Sequence, residues 1–123
     1  MTVKECYQVI GNYEEASARL GNDARIQKYL DKFRKDQSLD QMCQALEQQD
    51  YHQAFVCIHN LKGLYLNLAL SRVGSSASEL CDLLRNGKPE GDFSQMVDKV
   101  KQDHEQAVEM VGRLLASQPK EGE

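Results

Sequence analysis

The sequence lacks several features that would point to other classes of protein. It contains no Trp, two Pro and eight Gly in 123 residues, so few residues interrupt regular secondary structure. No apolar run reaches the roughly 20 residues that span a bilayer. No cluster of Lys and Arg forms the basic face of a nucleic-acid binder, and the net charge is −4. We therefore expect neither a membrane nor a nucleic acid as a partner.

The N-terminal residues MTVKECYQVIGNYEE carry acidic side chains where a signal peptide needs an apolar core. We therefore expect the protein to be cytoplasmic. The cysteines fit this expectation, because free cysteine behaves as a small buried hydrophobe. They are scattered without a CxxC pair, at Cys6, Cys43, Cys57 and Cys81.

The sequence is rich in Ala, Leu, Glu, Gln, Lys and Arg, which favour helices, whereas β-branched residues are sparse. Its length corresponds to one domain, and 41% hydrophobic residues are enough for a core. An all-α fold is predicted. The first part, residues 1–22, should form two short helices separated by Gly11 and ended by Gly21. Helices this short must pack on something larger, which is the bundle that follows.

Four long segments follow in residues 23–117 and predict an antiparallel up-down-up-down four-helix bundle. The first extends from Asp23 to about residue 47. Its apolar stripe slips by one residue near Ser38, where Ser38 and Gln41 have the spacing of a capping box. We interpret it as one helix kinked at residues 36–38, with two abutting helices as the alternative. Residues 118–123 should form a flexible tail.

The second long segment, residues 51–70, is the most apolar part of the chain, and Asp50 is placed to cap it. Its apolar residues recur every three or four positions, as in a buried helix. The predicted core stripe is Phe55, Ile58, Leu61, Tyr65 and Leu68, beside a second stripe of Ala54, Cys57, Leu61 and Leu64. The third and fourth segments, residues 71–84 and 92–116, continue the bundle.

His59 falls outside both apolar stripes of this segment. Lys62 and Gly63 lie three and four positions later and are therefore its neighbours on the helix surface. A glycine inside a helix costs about 1 kcal/mol relative to alanine. Its bare backbone would let another surface approach His59, although close packing between helices is an alternative reason for Gly63.

The other two histidines have simpler interpretations. His104 lies on the apolar stripe of the last segment and is predicted to be a residue of the helix seam, where the helices pack against one another. His52 lies seven positions before His59 on the same face, which leaves open a helical bundle that binds a metal through this pair. No HExxH or ExxH spacing supports such a site, and Lys62 would repel a cation. We expect no metal site.

The stretch His59-Asn60-Leu61-Lys62-Gly63, followed by Asn67-Leu68 and by Leu70-Ser71-Arg72-Val73, resembles the histidine phosphotransfer (HPt) domain family. The family signature is H-x-L-K-G, then an N-L-G-like element and the next helix. The resemblance covers about residues 23–116.

The resemblance implies a phosphorelay intermediate whose phosphoacceptor is His59, with Lys62 offsetting the phosphoryl charge and Gly63 giving the partner access. The partners would be receiver domains of response regulators and a histidine kinase. The receiver would supply Mg²⁺, so no cofactor is expected on this chain. Such a protein is a phosphocarrier without turnover of its own and is not an independent enzyme. The predicted docking face consists of His52, Val56, Leu64 and Leu66.

No kinase or receiver sequence accompanies these residues, so we expect a stand-alone shuttle. It should be monomeric, since one face must stay free. The alternative is a binding module that docks a receiver or kinase without carrying phosphate.

Two positions depart from the family pattern. Ala69 stands where the family usually has glycine, which predicts a tighter or differently angled helix end. Cys81 occupies the position at which some members use Glu or Gln to orient the histidine ring. Ser78, one turn earlier, is the other candidate for this role.

Overall fold

The computed structural model of the protein describes residues 1–118, which contain helices and no strand. The all-helical prediction is confirmed for this part of the chain, whereas residues 119–123 of the predicted tail lie outside it. The helices are α1 (Val3–Ile10), α2 (Tyr13–Leu20), α3 (Asp23–Arg34), α4 (Ser38–Glu47), α5 (Tyr51–Asn67), α6 (Ser71–Leu84) and α7 (Ser94–Ala116).

Each of the two N-terminal helices begins directly after a residue whose side chain caps it. Thr2 and Glu5 form a capping box at α1, and the Asn12 side chain accepts the Glu15 amide at α2. Helix α1 buries one face against α7 and also contacts α3 and α6, while α2 packs against α3. This packing compensates for lengths at which isolated helices are marginal.

The interpretation of residues 23–47 as one kinked helix is wrong, because the structure has two helices there. The amides of Lys35 and Asp36 bond back to the preceding turn and end α3. The Asp36 carboxylate then accepts the Ser38 amide at 2.8 Å and starts α4. Since Ser38 is the first helical residue and not the cap, the predicted capping box with Gln41 does not form.

Two other helix boundaries differ from the prediction by a few residues. Helix α5 ends at Asn67, three residues before the end of its apolar segment. Helix α7 begins at Ser94. The carboxylate of Asp92, two residues earlier, accepts the Ser94 amide at 2.9 Å and so caps the start of the helix.

Helix α5 packs against α4 and α6, and α7 packs against α6, α3 and α1. The predicted core residues of the α5 segment, Ile58, Leu61, Tyr65 and Leu68, are buried, but Phe55 is only half-buried and belongs to the rim of the core.

All four cysteines are free, and three of them are buried. None of the helices in residues 1–118 is long and apolar enough to cross a bilayer.

Candidate functional site

Helix α5 presents one continuous stripe away from the core. The Asp50 carboxylate caps the helix by accepting the Gln53 amide at 3.1 Å, as predicted. From there a spacing of four, three, four and three residues keeps five positions on one face. We call this set the α5 outer stripe, and it consists of His52, Val56, His59, Gly63 and Leu66.

His59 lies at the centre of the outer stripe with its side chain exposed. Its ring contacts Phe55 one turn earlier, with ring centroids 5.7 Å apart and planes inclined by 33°. Within residues 1–118 the imidazole makes no hydrogen bond to another side chain or to the backbone. Both ring nitrogens are therefore available to solvent or to a partner.

Lys62 and Gly63 adjoin His59 as the helical spacing predicts. Lys62 is partly buried and forms no ion pair with a carboxylate in the described part of the chain. A Cβ atom added at Gly63 would meet nothing within 4 Å. Close packing between helices is thus not the reason for Gly63, and its backbone faces open space.

Neither predicted orienting residue is hydrogen-bonded to His59. Cys81 is fully buried, and this burial raises the pKa of its thiol, although Lys62 and Arg85 act in the opposite direction. The Ser78 hydroxyl donates to the Gly74 carbonyl of its own helix at 2.9 Å. The orienting role of both residues therefore stays a prediction without a supporting contact.

Phe55, beside His59, and Arg85, which contacts Phe55, have places that the sequence did not predict. Phe55 was assigned to the core, although its position four residues before His59 already predicts a contact on the helix surface. The Arg85 guanidinium lies over the Phe55 ring, with Cζ 5.6 Å from the centroid. Arg85 is the C-cap residue of α6 and is distant in sequence, so no local spacing pointed to it.

Three of the four predicted docking residues, His52, Val56 and Leu66, lie on the outer stripe with His59, whereas Leu64 lies outside that stripe. His52 is exposed, Val56 and Leu64 are half-buried, and Leu66 is 48% exposed, which is high for a large apolar side chain. Beside Leu64 a shallow groove opens between the end of α5 and helices α2 and α3. It is lined by Arg19, Leu20, Tyr29, Leu64, Asn67 and Leu68.

The N-terminal helices hold the carboxyl end of α5. The Tyr7 hydroxyl donates to the Leu68 carbonyl at 2.8 Å, and the Asn12 amide donates to the Ala69 carbonyl at 3.0 Å. Arg19 donates to the carbonyl of Leu66. Backbone carbonyls that a helix end leaves without partners are satisfied in this way.

Ala69 adopts φ of 54°, the left-handed region that favours glycine. This conformation accounts for the glycine that the family usually has there. Its carbonyl lies so close to Gly11 that a Cβ atom at Gly11 would overlap it. Ala69 therefore occupies a glycine-like conformation beside the turn between α1 and α2, and the tighter or differently angled helix end stays a prediction.

His104 is a buried residue of the helix seam, as predicted, and only 7% of it is exposed. Its Nδ1 is 2.7 Å from the Tyr65 hydroxyl, and its ring makes an edge contact with Phe33. Burial lowers the pKa of His104, and the nearby acidic residues partly offset this shift. No group of three or more His, Cys, Asp or Glu residues within residues 1–118 is arranged to hold a metal ion.

The family model of the Hpt domain matches residues 26–117, which is most of the chain and includes α4 to α7 with His59. This chain belongs to the Hpt domain family. Hpt domains are helical bundles that act as phosphocarriers in two-component signalling and interact with receiver domains and kinases. No curated protein and no solved structure matches the chain. Helices α1 and α2 lie outside the matched region of this Hpt domain.

Proposed function

We propose that this Hpt domain carries a phosphoryl group on His59 between receiver aspartates, or from a histidine kinase to a receiver. The observation that carries the proposal is the exposed, unbonded imidazole of His59 beside Lys62 and the open backbone of Gly63. The proposal includes the up-down-up-down order of the bundle, a cytoplasmic location and a monomeric state in which the outer stripe stays free.

The transfer step needs only a nucleophile and charge compensation. The unprotonated nitrogen of neutral His59 attacks the phosphorus of an aspartyl phosphate on the receiver. A bond forms between the histidine nitrogen and phosphorus, the bond between phosphorus and the aspartate oxygen breaks, and the aspartate leaves as a carboxylate. The proton on the other ring nitrogen exchanges with water. Delivery to the next receiver reverses these steps, so the protein returns unchanged and acts as a carrier.

Lys62 is the residue of this chain best placed to compensate the phosphoryl charge. It lies one turn from His59 and has no carboxylate partner within the described residues. An ammonium group on a flexible stem acts as a mobile point charge toward phosphate oxygens. It can therefore stabilise both the transferring group and the phosphohistidine that results.

The residues around His59 do not fit a magnesium site. Mg²⁺ prefers carboxylate and water ligands, whereas the neighbours of His59 are Phe55, Lys62 and Gly63, with Arg85 beyond Phe55. We therefore propose that Mg²⁺ is held by the acidic pocket of the receiver domain.

Intact-mass spectrometry tests the function directly. The protein is mixed with receiver domains primed by a small-molecule phosphodonor, with His59→Gln in parallel and Lys101→Gln, at an exposed position of α7, as the control. We expect an acid-labile phosphoryl adduct on the wild type and on Lys101→Gln, but none on His59→Gln. A wild type that binds a receiver and gains no adduct would instead identify a docking module without phosphate.

A further inference from the structure

We propose that Phe55 is a positioning residue for His59, holding the imidazole by an aromatic contact where a hydrogen bond would otherwise orient it. This inference rests on the proposed phosphoacceptor function, but the contact itself concerns only the orientation of the His59 ring.

The described structure shows no hydrogen bond that would restrain the His59 ring. Within residues 1–118 no hydrogen bond reaches the His59 ring, and neither candidate orienting group contacts it in this way. Cys81 is fully buried, and the Ser78 hydroxyl is committed to the Gly74 carbonyl. The tilted ring pair with Phe55, at 5.7 Å between centroids, is the aromatic contact that the structure gives to His59.

Phe55 is itself held in place. Its ring is half-buried and packs against the core at the inner edge of the outer stripe. The Arg85 guanidinium lies over the ring at 5.6 Å, within the range of a cation–π contact. Arg85 is in turn paired with Asp82 at 3.1 Å. A ring fixed in this way can restrict the rotamer of its neighbour.

An aromatic contact and a hydrogen bond leave the nitrogens of the His59 ring in different states. A hydrogen bond to one ring nitrogen fixes the tautomer but occupies that nitrogen. A tilted aromatic contact covers part of the ring face and leaves both nitrogens at the edge available to phosphorus. Aromatic pairs of this kind bias a population by about two- to tenfold. We therefore expect Phe55 to raise the fraction of His59 in the attacking rotamer by this factor.

The experiment compares Phe55→Leu with Phe55→Tyr, which restores the ring. Phe93→Leu is the matched control, because Phe93 forms a similar half-buried pair with Tyr51, at 6.4 Å between centroids, away from His59. Side-chain NMR of the histidines measures rotamer averaging and tautomer ratio without any partner, and His104 reports on the integrity of the bundle. The rate of phosphoryl transfer from a primed receiver is measured on the same variants.

We expect increased averaging of the His59 ring and a transfer rate lowered by about two- to tenfold in Phe55→Leu, with unchanged His104 signals. Phe55→Tyr and Phe93→Leu should match the wild type in both measurements. A His59 ring equally ordered in Phe55→Leu and in the wild type would overturn the inference, whatever the transfer rate. Loss of His59 ring order in Phe55→Leu, together with a wild type that accepts no phosphoryl group, would overturn the proposed function and leave the aromatic contact established.

Discussion

His59 and His104 are the same residue type in two opposite environments. His59 is exposed in the middle of α5, touches Phe55 and has no hydrogen bond within residues 1–118. His104 is buried in α7, bonded to the Tyr65 hydroxyl and in edge contact with Phe33. The two environments give the imidazole different roles. An exposed ring can act as a nucleophile, whereas a buried ring fills space in the core and forms a hydrogen bond with a buried polar group.

The two environments also predict different losses of stability when each ring is removed. Removing His104 leaves a cavity and deprives the Tyr65 hydroxyl of its partner, and both effects destabilise a core. Removing His59 deletes a surface side chain whose main contact is with one other ring. Stability should therefore depend on His104 and phosphoryl transfer on His59.

The largest expected effect comes from replacing each histidine by alanine. His104→Ala should lower the free energy of unfolding by about 2–4 kcal/mol, whereas His59→Ala should change it by less than about 0.5 kcal/mol. Urea unfolding followed by circular dichroism measures both. Equal losses in the two variants would contradict the contrast drawn between these environments.

Lys62 should contribute to the reactivity of His59. Lys62→Ala should slow phosphoryl transfer or shorten the lifetime of the phosphohistidine, on the order of tenfold, because the compensating charge is lost. Lys62→Arg should retain most of the rate. The exposed Lys101 of α7 provides the control, and Lys101→Ala should behave as the wild type. A Lys62→Ala variant with unchanged kinetics would remove its assigned role.

The buried ring of His104 should make the stability of the protein depend on pH. Burial holds the pKa of His104 below its ordinary value of 6.5, so the unfolded chain binds a proton more readily than the folded protein. The contribution of His104 to stability is thus fully present above pH 6.5. It is lost as the pH falls toward the folded-state pKa, by at most about 1.4 kcal/mol per pH unit.

Urea unfolding at pH 7.5 and pH 5.5 measures this dependence. His104→Gln should flatten it, and His59→Gln should leave it as in the wild type. A dependence that disappears in the His59 variant would reverse the assignment of the two rings.

The smallest effect is expected at Gly63. Because a Cβ atom there meets open space, Gly63→Ala should stabilise the helix by about 0.5–1 kcal/mol. Gly63→Gln should retain part of this gain and weaken binding to a receiver, since the longer side chain covers the approach to His59. Thermal unfolding and a binding titration measure the two effects. Undiminished docking of Gly63→Gln would show that the partner approaches from another side.

The sequence predicted most local features because these depend on near neighbours in the chain. The breaks at Gly11 and Gly21, the cap at Asp50 and the seam position of His104 all agree with the structure. The single kinked helix over residues 23–47 was wrong. There a slipped apolar stripe fits either a kink or a break, and the Asp36 cap decides for the break.

The features that the sequence did not predict arise from contacts distant in the chain. No spacing rule links Arg85 to Phe55, and the packing of α6 against α5 brings them together. The same holds for Tyr7 and Asn12, which bind the end of α5 and accompany the left-handed conformation of Ala69.

Local spacing in the sequence was enough to predict that the protein is helical and that His59, Lys62 and Gly63 form a cluster, because residues three and four positions apart are neighbours on a helix. The groups that surround this cluster depend on how the helices pack. This packing buried Cys81, brought Arg85 over the Phe55 ring that contacts His59, and attached the N-terminal helices to the carboxyl end of α5. These outcomes follow from packing among separate helices, which local periodicity does not encode.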